Sequence, residues 1–172
     1  GYVLERHAEA SGGSLALRAV FTTSEPLLPE QRRAIEERFG CPVFDFYSQA
    51  ERVGFSSECE AHAGHHLYDE YGVTELVDGS GVPVAAGCPG RVIATGLWNR
   101  GMPLIRYATG DVTSLDGRPC PCGRTLPLMT GVATKEEDIV VTADGRMISP
   151  SLLSAAFKYA GPVVKSQIVQ RE

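Results

Sequence analysis

Two sets of side chains in this 172-residue chain have the types and spacing to do chemistry. The first lies in residues 104–111, LIRYATGD. Leu104, Ile105 and Tyr107 supply apolar, β-favouring bulk, Gly110 permits a sharp backbone turn, and Asp111 is expected at the strand's end. A carboxylate held there can accept from both hydroxyls of a vicinal diol such as a ribose, a geometry that neutral side chains match poorly. The same Gly-Asp step also serves as a plain turn cap, and spacing leaves both readings open. The second set is Cys59, His66, Cys120 and Cys122. Three thiolates and one imidazole make a closed tetrahedral set, the kind that holds zinc structurally rather than catalytically. The competing reading is inert buried cysteines with surface histidines. The gap between Cys59 and Cys120 means that only a folded chain could bring the four together.

The elements that must position these groups follow from the rest of the chain. The length suits one ordinary domain, or one domain plus a fragment of another. Sixteen basic against twenty-one acidic residues give a net charge of −5, and no Lys/Arg run tracks phosphates, which argues against a nucleic-acid partner. No apolar run approaches the roughly 18 residues that would span a bilayer, and the start lacks the pattern of a signal peptide, so a soluble, cytoplasmic protein is expected. Five cysteines, an odd number unevenly spaced, fit reduced thiols or metal ligands better than a disulfide framework. Residues 1–14 end in a Ser/Gly cluster that reads as a flexible turn.

Residues 15–21 (LALRAVF) read as a buried strand and residues 42–46 (PVFDF) as a second. Between them a helix is expected to begin at Pro29, to carry Ala34, Ile35 and Phe39 on its apolar side, and to stop at Gly40. Strand, helix, strand at this spacing predicts a βαβ unit, whose ligands sit beyond the carboxyl ends of the parallel strands. From Cys59 onward short β-type runs separated by Gly, Pro and Asp predict an antiparallel meander or small barrel, against which the βαβ unit would pack. Residues 125–135 lack periodicity and read as a joint between domains. Ala143-Asp144-Gly145 predicts a hairpin, Pro150 a helix running to Tyr159, and residues 163–170 a strand. The expected fold class is therefore α/β followed by a β-rich subdomain, with residues 1–130 as the core and residues 131–172 as the beginning of a small α+β domain.

LIRYATGDV resembles the Arg-Tyr-x-Thr-Gly-Asp signature of the adenylate-forming ligase superfamily, in particular its phenylacetate-CoA ligase and CapK-like branch. YSQAE, Tyr47 to Glu51, is similar to the superfamily's Tyr-Gly-x-Thr-Glu motif. The resemblance implies that Asp111 fixes ribose, Tyr47 lies along adenine, and Glu51 helps hold magnesium near the phosphates in the catalytic step. It further implies that Ser24, Glu25 and Pro26 border adenine, that Asp45 lies near the adenine amino group, and that Arg106 sits near the sugar or supports Asp111. Ser48 stands where glycine is usual and Ala50 where a hydroxyl residue touches phosphate. Cys59-Glu60, Gly64-His65-His66 and residues 120–124 resemble segments that supply a structural zinc in some members, with His66 preferred over His65 and His62. Thr134 to Asp138 match the hinge before the mobile lid, with Lys135 in place of the usual arginine.

The resemblance runs from about residue 15 onward, with the motifs in the family's order. It implies a fragment of the ligase N-terminal domain plus the start of the C-terminal lid. The implied reaction is ATP-dependent acyl-adenylate formation from a small-molecule carboxylate, often followed by transfer to coenzyme A. No phosphate loop containing lysine and no complete lid are found in the sequence, so a complementing N-terminal chain or a homo-oligomer is an expected partner. The alternative is a non-catalytic, zinc-stabilised module that binds a nucleotide or a partner.

Overall fold

The computed structural model describes residues 16–132, 134–135, 140–142, 147–148, 153 and 168–170. Its opening is the expected βαβ unit. Strand β1 (Val20–Thr23) and strand β2 (Val43–Ser48) pair in parallel, joined by helix α1 (Pro29–Phe39). Proline at the first position of α1 surrenders no needed donor, and the Gln31 side-chain oxygen accepts from the Leu28 backbone N–H at 3.0 Å. Gly40, at φ 62°, ends the helix in the left-handed conformation and donates its N–H to the Glu36 carbonyl. Ile35 is the helix's buried anchor.

β1 differs from expectation. It begins at Val20 rather than at residue 15 and forms one edge of the sheet, so Phe21 remains 62% exposed, its ring stacked 5.2 Å from that of Phe46. Among the described residues its one strand neighbour is β2, which leaves its other side uncovered by them.

Four antiparallel strands follow, β3 (Phe55–Glu58), β4 (His65–Leu67), β5 (Gly72–Val77) and β6 (Pro89–Gly96), and then β7 (Tyr107–Asp116). The meander does not merely pack against the βαβ unit. β2 pairs directly with β3, and with β8 (Leu128–Met129) the path runs β1-β2-β3-β4-β8-β7-β6-β5, while β9 (Thr134–Lys135) pairs on β7. Residues 125–135, expected as a joint, thus supply two short strands, one of them wedged between β4 and β7 with Met129 fully buried.

β10 (Val140–Val141) and β11 (Met147–Ile148) pair antiparallel as the hairpin signal predicts. The turn itself, the opening Ser/Gly cluster, the helix expected from Pro150 and most of the strand expected over 163–170 lie outside the described residues. Among the described residues no helix is long and apolar enough to cross a membrane.

The largest correction concerns Asp111. Residues 102–106 form a loop instead of a strand, with Ile105 77% exposed and Arg106 in the left-handed region at φ 50°. β7 begins only at Tyr107, so Asp111 lies inside a 10-residue strand and not at its end. The glycine makes an irregularity rather than a stop. Register steps from Arg91 opposite Val112 to Ile93 opposite Ala108, so β7 carries extra residues where Gly110 turns to φ 79°. Such a bulge bends the strand and re-aims its side chains, which is how a mid-strand Asp111 comes to face a cavity.

Candidate functional site

The carboxyl ends of β1 and β2, the β3–β4 turn and the bulged stretch of β7 surround one cavity of about 910 Å³. That is the size range of small-molecule sites. The first strand is followed by Ser24, held at φ 78°, and the turn before β4 contains His62 at φ 46°. Both line the cavity, and both occupy a backbone region that L-residues rarely adopt without support.

Eight residues singled out in the sequence line this cavity: Ser24, Glu25, Pro26, Asp45, Tyr47, Ser48, Glu51 and Asp111. Arg106 does not. Its guanidinium pairs with Glu75 at 3.1 Å on the exposed side of the meander, because the left-handed turn at Arg106 directs it away from Asp111. Lys135 lies opposite Asp111 in the β7–β9 register, while its side chain is outside the described residues.

Asp111 is buried, 8% exposed, and oriented from several sides. The Tyr47 hydroxyl donates to its Oδ2 at 2.7 Å, and Gln49 Nε2 donates to Tyr47 and lies 3.4 Å from the same carboxylate oxygen. The Asp111 N–H donates to Thr109 Oγ1 at 3.1 Å, and that hydroxyl donates to the Val92 carbonyl, which pins the bulge. Burial and then the hydrogen bond to Asp111 push the Tyr47 phenol far above its usual range, so it stays a donor. Across the cavity the Tyr107 hydroxyl donates to Glu51 Oε1 at 2.9 Å.

The opposite end is a charged network. Arg32, reaching in from α1, holds Glu58 with two hydrogen bonds of 2.7 Å and donates to the Val43 carbonyl. Glu58 Oε2 also accepts from the Asp45 N–H at 2.9 Å. The Asp45 carboxylate accepts from Thr22 Oγ1 and lies 3.6 Å from His65 Nε2. Burial raises Asp45 against the Thr22 hydrogen bond and the His65 charge. Burial likewise pushes Glu58 upward, but the Arg32 hydrogen bonds and the Asp45 N–H outweigh it and hold the carboxyl below its ordinary range. His65 is lowered, burial outweighing the attraction of Asp45 and Glu58. A paired Glu58 beside an Asp45 that is only partly neutralised leaves Asp45 as the acceptor facing the cavity.

Behind the same strands the thiol and imidazole ligand atoms of Cys59, His66, Cys120 and Cys122 lie within 4.8 Å of one another. Cys59 and Cys120 sulfurs are 3.6 Å apart, and Cys122 Sγ is 3.4 Å from His66 Nε2, with all these cysteines unbridged. The Arg124 N–H draws the Cys122 thiol down to about 6 against burial, with help from the Arg124 guanidinium. This group could hold a metal ion. Consecutive residues of a strand point to opposite faces. On β4, His65 therefore serves the cavity while His66 serves the cluster, and at the end of β3 Glu58 lines the cavity while Cys59, just past the strand, joins the cluster.

Sequence reasoning missed Arg32, Gln49, Glu58, His65 and Tyr107 as parts of the site. Gln49 and Tyr107 lay within the motifs singled out, which was a usable signal, whereas Arg32 looks like any polar residue of an amphipathic helix.

No family model matches the chain. Among curated proteins, phenylacetate-coenzyme A ligase of Thermus thermophilus is 31% identical over 171 residues, a match covering 96% of this chain and 38% of that protein. The Escherichia coli phenylacetate-coenzyme A ligase is 28% identical over 176 residues, covering 98% of this chain and 39% of that protein. Protein CapK of Staphylococcus aureus is 25% identical, covering 99% and 36%. The chain thus spans well under half the length of these relatives. Among solved structures, 2-hydroxyisobutyryl-CoA ligase in complex with R3-HIB-AMP superposes with a TM-score of 0.77 and 29% identity, over 90% of this chain and 34% of that one. An open conformation of the same enzyme with 2-HIB-AMP and CoA gives 0.74 and 27%, over 91% and 39%.

Proposed function

Because this is a partial chain of the adenylate-forming superfamily, on the phenylacetate-CoA ligase and CapK side, we propose that its cavity is the nucleoside end of an AMP-forming carboxylate ligase site. The observation that carries the reading is the convergence of Ser24, Asp45, Tyr47, Glu51 and Asp111, far apart in sequence, on one cavity. In this reading Asp111, held by Tyr47 and the Thr109 bulge, accepts from both ribose hydroxyls. The Tyr47 ring offers the base an apolar face, and Asp45 accepts from an exocyclic amino group. Residues 131–172 are read as the beginning of the lid, with Lys135 at the hinge.

The donor chemistry fits the ions the family implies. Glu51 is a single hard carboxylate on the cavity wall, which suits magnesium shared with phosphate oxygens. Three sulfurs and one imidazole suit zinc. Bonds of about 2.3 Å to sulfur and about 2.0 Å to nitrogen require tetrahedral edges of about 3.8 and about 3.5 Å, close to the 3.6 and 3.4 Å observed. Zinc there would tie the segment after β7 to β3 and β4, and reduced thiols suit a cytoplasmic setting.

The whole reaction would be attack of a carboxylate oxygen on the α-phosphorus of ATP, breaking the bond to the pyrophosphate leaving group, with coenzyme A as acceptor in a second step. This chain's share is to bind and orient the nucleotide and, through Glu51, to hold the cation that neutralises its phosphates. The carboxylate pocket and further phosphate contacts would come from elsewhere in a longer chain, a complementing chain or a second copy. One observation favours the second reading, a zinc-stabilised module that binds nucleotide without turnover. Arg32 is the one cation besides histidine among the described lining residues, and Glu58 already engages it.

ATP–pyrophosphate exchange with a panel of carboxylic acids decides between them. Exchange that depends on a carboxylate and is lost in Glu51→Gln supports the ligase. AMP binding with no exchange under any acid, even with the remaining segments of a full-length ligase supplied, supports the module.

A further inference from the structure

Glu51 is carried by a loop, residues 49–54, that has no regular structure of its own to hold a side chain in place. Its conformation is costly, since Arg52 sits at φ 60° and donates its N–H back to the Gln49 carbonyl. Two features of the meander grip this loop. The first is a bare patch on the β5–β6 hairpin. Gly72 and Gly96 face each other in register, and Val53, 1% exposed, is seated against them. A Cβ on Gly72 would fall 2.0 Å from the Val53 carbonyl oxygen, and one on Gly96 would fall 2.9 Å from that of Arg52. Both obstacles are backbone and cannot swing aside. The second is Tyr107, which lies opposite Ala94 on β6 and sends its hydroxyl to Glu51 Oε1 at 2.9 Å.

We propose that the β5–β7 meander is the positioning device for Glu51. The Gly72–Gly96 pair sets the height of the loop, and the Tyr107 hydroxyl fixes the carboxylate's rotamer at the cavity wall. The proposal rests on the reading of Glu51 as the magnesium-side carboxylate. Tyr107 is a positioning residue, acting through the carboxylate it holds. A hydrogen bond to a charged group makes such an orientation worth several-fold in the cation's apparent affinity.

The test is the magnesium concentration at half-saturation of ATP binding, measured alongside magnesium-free AMP affinity, for the protein, Tyr107→Phe, Gly72→Ala and Glu51→Gln. Tyr107→Phe is expected to raise the magnesium midpoint about five- to tenfold while AMP affinity stays within about twofold. Gly72→Ala is expected to raise it at least as far. If Glu51→Gln shifts the midpoint and Tyr107→Phe does not, the positioning role is wrong and the Glu51 reading stands. If AMP affinity falls in parallel with magnesium response, Tyr107 is a general structural support and the proposal is overturned. If Glu51→Gln itself changes nothing, or the protein shows no magnesium dependence, the reading of Glu51 fails and takes the proposal with it.

Discussion

The two faces of β3 and β4 solve different problems with adjacent residues. On one face Cys59 and His66 join Cys120 and Cys122 in a closed cluster, its ligand atoms within 4.8 Å of one another. On the other, Glu58 and His65 belong to a cavity of about 910 Å³ whose polar groups are spread along its wall and held apart by other side chains. A closed metal set needs only the right ligand types brought together, because the ion supplies the organising force. An open ligand pocket must be organised before the ligand arrives, so its carboxylates are held by neighbouring side chains: Arg32 holds Glu58, whose carboxylate caps the Asp45 N–H, Gln49 and Thr109 hold Asp111, and Tyr107 holds Glu51. The two faces share strands, so stiffness in the cluster should pass to the cavity.

That sharing can be broken from the cluster side with the largest effect. Cys120→Ser, or exhaustive chelation of the intact protein, is expected to remove about one equivalent of bound metal and to lower the melting temperature by roughly 10 °C or more, as structural metal sites do. Elemental analysis and a thermal melt read both. If the comparison holds, AMP affinity falls too; full AMP affinity in metal-free protein would show that the two faces are independent.

A smaller effect comes from the cavity side. Arg32→Ala leaves Glu58, whose side chain is 9% exposed, without its guanidinium partner. After allowing for Arg32's own partial exposure, the expected cost is about 2 kcal/mol, with metal content unchanged. Adding Glu58→Gln should restore much of this, since it removes the uncompensated charge. A denaturant titration of the single and double variants measures it, and equal losses in both would place the cost in lost packing instead.

The finest probe is Asp45. Burial raises its folded pKa above the ordinary 3.8, so the group contributes stability that is fully present below that value and is lost as pH rises through the raised one. Asp45→Asn lacks this loss, so its melting temperature relative to the parent should improve as pH is raised from about 3 to about 6. A difference that stays flat across that window would mean that Asp45 is as well solvated folded as unfolded.

Which parts of this were legible in the sequence follows from the same contrast. The βαβ unit could be read because Pro29, Ile35 and Gly40 each act locally, at a helix start, face and end. The clustering of Cys59, His66, Cys120 and Cys122 could be read because thiols and imidazoles are rare and chemically narrow. The orientation of Asp111 could not, because Gly110 permits both a strand-ending turn and a bulge, and only pairing with β6 selects the bulge. Arg106 was misplaced for a related reason: its left-handed φ is imposed by the loop leading into β7, and no residue type announces it. The central position of Leu128 and Met129 was equally hidden, since a two-residue strand has no period to detect. Supports such as Arg32 and Glu58 are common residues whose importance arises only from where folding brings them.

Calorimetric titration of AMP into the purified protein and into Asp111→Ala tests the nucleotide reading most directly. The account predicts one site per chain in the parent and affinity weaker by about 100-fold in the variant, since two hydrogen bonds to a charged acceptor are lost, with the variant still giving a cooperative thermal melt. A folded parent that takes up no AMP at millimolar concentration, or an Asp111→Ala variant that binds as tightly as the parent, would contradict it.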